Sequence, residues 1–187
     1  MKRTLIVVDV QNDFVTGSLG TKEAEAILEP VRRKIQEYRS SREQVIFTRD
    51  THYENYLETP EGKKLPVKHC IKDTWGWEIV EGLDFPGCFY VDKETFGTLD
   101  WNTYEFEGEI ELVGLCTDIC VVSNALILKA MYPDIRITVD AGCCAGVMPQ
   151  THEAALETMK MCQIEGKRLI FRYDRKIPDY FSVAGAP

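Results

Sequence analysis

The sequence predicts a three-layer α/β/α fold on a mostly parallel six-stranded sheet, and two observations carry that prediction. Six short apolar runs rich in β-branched or aromatic residues alternate with longer segments of helical spacing. Residues able to do chemistry stand just behind those runs, where open parallel sheets bind their ligands. The first run, Leu5 to Val8, is apolar throughout, as a strand covered on both faces should be, and Asp9 ends it. Ala24 to Tyr38 has helical spacing and leads to the second run, Gln44 to Thr48, followed by Asp50 and His52. A long stretch from Thr51 to Pro86 predicts only one short helix, around Trp75 to Val80, and carries His52, Glu58, Glu61 and His69. Loops this long in a compact domain are usually functional. The third run is Cys88 to Val91, with Lys93 behind it, and the fourth is Ile110 to Val113, with Cys116 and Cys120 behind it. Asp118 to Met131 reads as a helix, Ile135 to Val139 as the fifth strand with Cys143 and Cys144 after it, Thr151 to Cys162 as a helix, and Arg168 to Phe171 as the sixth strand.

Composition narrows the function. A chain of 187 residues predicts one domain, 1–187, able to bury a substantial core without disulfides or a structural metal. Its net charge of -8 offers no basic footprint for nucleic acid or an anionic membrane surface. The apolar start, Met1 to Val10, is short, broken by Asp9 and without a small-residue cleavage site, so it reads as a strand and not a signal peptide. The seven cysteines are odd in number and show neither zinc-ribbon pairs nor disulfide spacing, which suits a reducing cytoplasm.

The chemistry centres on Gly114-Leu115-Cys116-Thr117-Asp118-Ile119-Cys120-Val121, which passes from a strand through a tight turn into a helix. A helix N-terminus presents free N–H groups and partial positive charge, which lower a thiol's pKa and can bind an oxyanion. Cys120 is therefore expected to be a thiolate nucleophile. A thiol needs a base and its thiolate a positive partner. Asp9, at the end of an apolar strand where a lone carboxylate is costly, calls for a donor neighbour, and Lys93 is the natural one.

These residues resemble the isochorismatase-like cysteine hydrolases, and among them the nicotinamidases most, over nearly the whole chain. Val7-Val8-Asp9-Val10-Gln11-Asn12-Asp13-Phe14 matches the first family motif, Thr48-Arg49-Asp50-Thr51-His52 the second, and Cys116 to Val121 the nucleophile motif. The resemblance implies a Rossmann-like fold and a catalytic triad of Asp9, Lys93 and Cys120. It also implies a cis peptide between Leu115 and Cys116, and an oxyanion hole from the backbone N–H groups of Cys116 and Cys120. A divalent metal, zinc before manganese or iron, would be held by Asp50, His52 and His69, with Glu61, Glu58 or water completing its shell. Phe14 would pack against the substrate ring, while Trp75 and Trp77 could line the pocket. His152 reads as structural, and Cys143 and Cys144 as buried neighbours without a role.

The implied reaction is hydrolysis of a small carboxamide through a cysteine thioester, nicotinamide giving nicotinic acid and ammonia, by a cytoplasmic homo-oligomer. Two departures bear on the substrate and the loop. Leu65-Pro66-Val67-Lys68 stands where the family carries a tryptophan before the metal-binding histidine, and Asp73 stands at a position commonly glycine. Two further readings remain open: a metal-free hydrolase of a carbamoyl or ureido compound, and a non-catalytic interaction domain.

Overall fold

A computed structural model describes residues 2–167. Six strands are described: β1 (Thr4–Val8), β2 (Gln44–Asp50), β3 (Phe89–Lys93), β4 (Ile110–Leu115), β5 (Ile137–Ala145) and β6 (Glu165–Lys167). They form one sheet in the order β3-β2-β1-β4-β5-β6, with every neighbouring pair parallel. The predicted strand at Arg168 to Phe171 lies outside the described residues.

Alternation along β1 creates the three layers. Leu5 and Val7 pack with Val31, Ile35 and Tyr38 of α3 (Leu28–Ser40), on the face also covered by α1 (Asn12–Val15) and α2 (Lys22–Ala26). Ile6 and Val8 pack with Ala125 and Leu128 of α5 (Val122–Met131) and with Leu156 and Met159 of α6 (Pro149–Met161). A buried ionic cluster fastens α3 further. Lys34 lies 2.8 Å from Glu111 and 2.9 Å from Asp140, and the Tyr38 hydroxyl donates to Glu111 at 2.7 Å. Among the described residues no helix is long and apolar enough to cross a membrane.

The chain reverses its direction of winding between the adjacent strands β1 and β4, which opens a crevice beyond their carboxyl ends. Asp9 lies at one lip and the turn leading to Cys120 at the other. Several predicted boundaries are corrected here, among them the ends of β2 and β3, which run on to Asp50 and Lys93, so that these two residues close their strands. The helix expected from Ala24 to Tyr38 is two helices, α2 and α3. β4 runs on to Leu115, and β5 runs to Ala145, so Cys143 and Cys144 lie inside a strand, buried. The stretch from Thr51 to Pro86 contains an unpredicted helix, α4 (Pro60–Lys64), besides short turns at Tyr56–Glu58 and Trp75–Trp77. Thr59 caps α4 by accepting the Gly62 N–H, with Pro60 following, a start signal legible in Thr-Pro-Glu.

Gly114 sits where the register between β4 and β5 shifts, at a φ of 117°, and a Cβ there would come within 2.1 Å of the Val8 carbonyl oxygen. Gly114→Ala should therefore lower stability by at least about 2 kcal/mol, because strain and a clash with backbone coincide. Urea unfolding measures this, and a variant as stable as the parent would mean that β1 and β4 can separate at no cost.

Candidate active site

The carboxyl ends of β1, β2 and β3 and the turn after β4 bring Asp9, Asp50, Lys93 and Cys120 together in a buried cluster. The Lys93 ammonium lies 2.7 Å from Asp9 Oδ2, 3.2 Å from Asp50 Oδ1 and 3.5 Å from Cys120 Sγ, so each of its N–H groups has a partner. Thr48 donates its hydroxyl to Asp9 Oδ1 at 2.6 Å, and the Asp9 N–H in turn reaches Thr48 Oγ1 at 3.2 Å. This holds Asp9 at a left-handed φ of 48°, which turns its side chain out of the strand and into the crevice.

The turn Thr117–Val121 is a single wide π-helical turn, preceded by the cis peptide between Leu115 and Cys116. Such turns recur at functional sites. The turn is tied to the start of α6, where Asp118 accepts the Val147 N–H at 3.1 Å and the Thr151 hydroxyl. Thr117 Oγ1 lies 2.7 Å from His152 Nδ1, so the third histidine is engaged in this packing.

Burial works against the low thiol pKa expected of Cys120. Burial pushes the Cys120 thiol well up, and the Asp9 charge adds to it by more than Lys93 takes away. Burial also raises Asp9 above the usual carboxylate range, against the pull of Lys93. Burial opposes the charge on Lys93, yet Asp9, Cys120 and Asp50 together hold it well above an ordinary lysine. The Lys93 ammonium thus stands within reach of both the Asp9 carboxyl and the Cys120 thiol. Cys116 is also pushed up, to about 12, by burial first and Asp118 second.

A second cluster adjoins the first through Asp50. His52 Nε2 lies 3.0 Å from Asp50 Oδ2 and 3.7 Å from Glu61 Oε1, while His69 Nε2 lies 3.7 Å and 3.9 Å from the same two oxygens. Four ligands at the usual distances around a tetrahedral ion stand about 3.3 Å apart, so the spacing suits one ion. His69 Nδ1 lies 2.8 Å from the Val67 carbonyl oxygen, which can only accept, so Nδ1 bears the hydrogen and Nε2 is bare toward the cluster. His52 Nε2 is buried without a hydrogen bond, as a nitrogen awaiting a metal would be. The donor set therefore fits a divalent cation. Glu61, carried by α4, belongs to this group, whereas Glu58 is exposed.

Residues not singled out from sequence build the support. Gln11 receives the Asp50 N–H at 2.7 Å and donates to the carbonyls of Asp50 and Trp77 at 2.9 and 2.8 Å. Tyr56 lies with its ring 4.6 Å from that of His52 and 5.0 Å from that of His69, and its hydroxyl holds the Leu65 carbonyl at 2.9 Å. Thr48 and Gln11 stand inside recognisable motifs, and a polar residue at the end of an apolar run was the available signal. Phe14 sits 5.5 Å from the His69 ring. Trp77 is buried, bonded to Thr51 Oγ1 at 2.9 Å and covered by the Arg49 guanidinium, so it braces the loop; Trp75 is 59% exposed. Asp73 adopts a φ of 62°, which accounts for the glycine expected there.

Comparison with known proteins agrees with this geometry. The Isochorismatase domain model matches residues 3–166. The chain is 30% identical over 183 residues to the nicotinamidase/pyrazinamidase of Mycobacterium tuberculosis, covering 87% of this chain and 97% of that one. It is similar to the crystal structure of pyrazinamidase of Pyrococcus horikoshii in complex with zinc, at a TM-score of 0.76 and 27% identity over 90% of this chain and 100% of the other. It is also similar to N-carbamoylsarcosine amidase from Thermoplasma acidophilum, at a TM-score of 0.74 and 28% identity, covering 90% and 96% respectively.

Two outcomes follow from the geometry. Thr48→Val, close in shape but without the donor to Asp9, should cost about 2 kcal/mol in urea unfolding, the loss of a buried hydrogen bond to a charge. An unchanged midpoint would show that the carboxylate has another donor. His69→Ala should weaken binding of a divalent ion by at least about 100-fold, more than loss of an outer-sphere partner costs, as measured by chelator competition. Equal affinity in the variant would remove His69 from the ligand set.

Proposed function

This chain belongs to the isochorismatase family, and on that premise we propose that it hydrolyses nicotinamide to nicotinic acid and ammonia through a thioester on Cys120. It is a hydrolase of amide C–N bonds, and the observation that carries its mechanism is the Lys93 ammonium held 2.7 Å from Asp9 and 3.5 Å from Cys120.

Asp9 takes the Sγ proton as sulfur attacks the amide carbonyl carbon, and its raised basicity makes that transfer easier than for an exposed carboxylate. Lys93 stabilises the negative charge that develops on sulfur. The backbone N–H groups of Cys116 and Cys120 serve as the oxyanion hole for the tetrahedral intermediate. Asp9 returns the proton to the departing nitrogen, the C–N bond breaks, and ammonia leaves. Asp9 then deprotonates water for attack on the thioester, which releases the acid and restores the thiol. Phe14 packs against the substrate ring. Asp50, His52, His69 and Glu61 hold a divalent ion, with zinc best suited to this mixture of imidazole and carboxylate, and manganese or iron as the alternatives. When bound, that ion supplies coordination to the pyridine nitrogen of the substrate. The seven free cysteines suit a reducing cytoplasm, and the family resemblance implies a homo-oligomer. A carbamoyl or ureido substrate is a second reading, favoured by the likeness to N-carbamoylsarcosine amidase.

An ammonia-release screen over nicotinamide, pyrazinamide and ureido compounds, with and without chelator, tests the assignment. Turnover of nicotinamide that chelator removes is expected; turnover confined to ureido compounds and indifferent to chelator would select the second reading. Cys120→Ala should abolish release with fold and metal content retained, and Asp9→Asn should lower kcat by about 10²–10⁴, the usual worth of a general base. Retained turnover in the cysteine variant would overturn the mechanism.

A further inference from the structure

Lys93 and Cys120 come from opposite sides of the sheet centre. In the order β3-β2-β1-β4, the strand ending in Lys93 and the strand leading to Cys120 are three steps apart, about 14 Å at ordinary strand spacing. Lys93 is the last residue of β3 and Cys120 lies on the turn directly after β4, so sheet pairing places the two strand ends and leaves the approach of the two groups to the segments that follow them. Asn124, on the first turn of α5 and fully buried, spans it. Its Nδ2 donates to the Cys120 carbonyl at 2.8 Å and to the Phe96 carbonyl at 3.1 Å; its Oδ1 accepts the Thr98 N–H and the Trp101 Nε1–H, both at 3.2 Å. Two carbonyls face the amide nitrogen and two N–H groups face the oxygen, so a flipped amide would lose every bond. Phe96 and Thr98 lie in the segment that leaves Lys93. That segment presses on α5 at Gly97, where a Cβ would come within 2.5 Å of Ile127 Cδ1.

We propose that Asn124 is a positioning residue that braces the segment after Lys93 against the nucleophile turn, setting the distance between the Lys93 ammonium and Cys120 Sγ. This rests on the amidohydrolase reading above, in which Lys93 stabilises the developing sulfur anion. A residue that only filled the core would affect stability and leave turnover per folded molecule alone. A brace would act on kcat while leaving KM alone, since the four hydrogen bonds of Asn124 go to Phe96, Thr98, Trp101 and Cys120 and none goes to Phe14 or His69, on the ring-binding side of the site.

The test compares parent, Asn124→Ala and Asn124→Ser. The serine hydroxyl can still bond the carbonyl one turn back, that of Cys120, but cannot reach Phe96, Thr98 or Trp101. Folding is checked by thermal unfolding, kcat and KM are measured on nicotinamide, and the rate of Cys120 alkylation by iodoacetamide is read by mass spectrometry. Both variants should lose about 100-fold in kcat, the usual cost of misplacing a reacting group by an ångström, with KM within about twofold, and Cys120 should alkylate more slowly in both. Folded variants with kcat within about threefold of the parent, full recovery in the serine variant, or unchanged alkylation would each overturn the brace. Should Asn124→Ala fail to fold, the serine variant decides. Should the parent itself release no ammonia from nicotinamide, the substrate assignment fails while the alkylation comparison still judges the brace.

Discussion

One ammonium serves two buried carboxylates and a thiol, and most of the site can be derived from that shortage of positive charge. Asp9 and Asp50 are both almost wholly removed from water, and Lys93 lies within reach of both. Isolated buried charges cost several kcal/mol each even after relaxation. With Lys93 counted once, a negative charge remains, and it falls on the Asp50 side, where two imidazoles and Glu61 converge. A divalent cation there completes the balance. The same shortage acts on sulfur. Lys93 is already engaged with carboxylates, so its attraction for a thiolate is outweighed by burial and by Asp9.

The fold meets this constraint by devoting the ends of four neighbouring strands to it. The crossover from β2 to β3 carries His52, Glu61 and His69, three of the four residues proposed to hold a metal, in place of a long covering helix, and it needs anchoring because it has few regular hydrogen bonds of its own. Side chains from the segment after β1 provide the anchors. Gln11 holds Asp50 and Trp77, Asn12 holds the Trp75 carbonyl at 2.8 Å, and Asp13 accepts the Cys70 N–H at 2.8 Å. The motif around Asp9 is therefore polar for two reasons. Asp9 itself faces the thiol, and the next residues position the neighbouring loop.

The sequence made legible whatever depends on local pattern. Leu5 to Val8 announced a central strand through four consecutive apolar residues, and the positions of Asp9, Asp50, Lys93 and Cys120 behind successive runs announced a common rim. What stayed hidden depends on contacts distant in sequence. The extension of β5 through Cys143 and Cys144 is set by pairing of Cys144 with Gly114, not by local propensity. Asn124 carries no local signal, since three of the four groups it satisfies belong to the segment from Phe96 to Trp101. For the Cys120 thiol the helix N-terminus is the visible local cue. Complete burial among carboxylates was not visible, and burial is the larger effect.

Burial changes the account of how the nucleophile works. A standing thiolate would be open to oxidants and electrophiles at all times, since reactivity follows thiolate character and access. In the proposed mechanism burial favours the proton on sulfur until attack, and the carboxylate that receives it lies 2.7 Å from Lys93. When sulfur commits its electrons to a carbonyl carbon, the proton passes to Asp9, and Lys93 can then turn its charge from the neutralised carboxylate to sulfur. The ammonium need not move far, because Asp9 and Cys120 lie 2.7 and 3.5 Å from it. Catalysis by such a cluster is a redistribution of one positive charge among fixed neighbours, so its efficiency depends on distances that the framework holds fixed more than on the basicity of any single group.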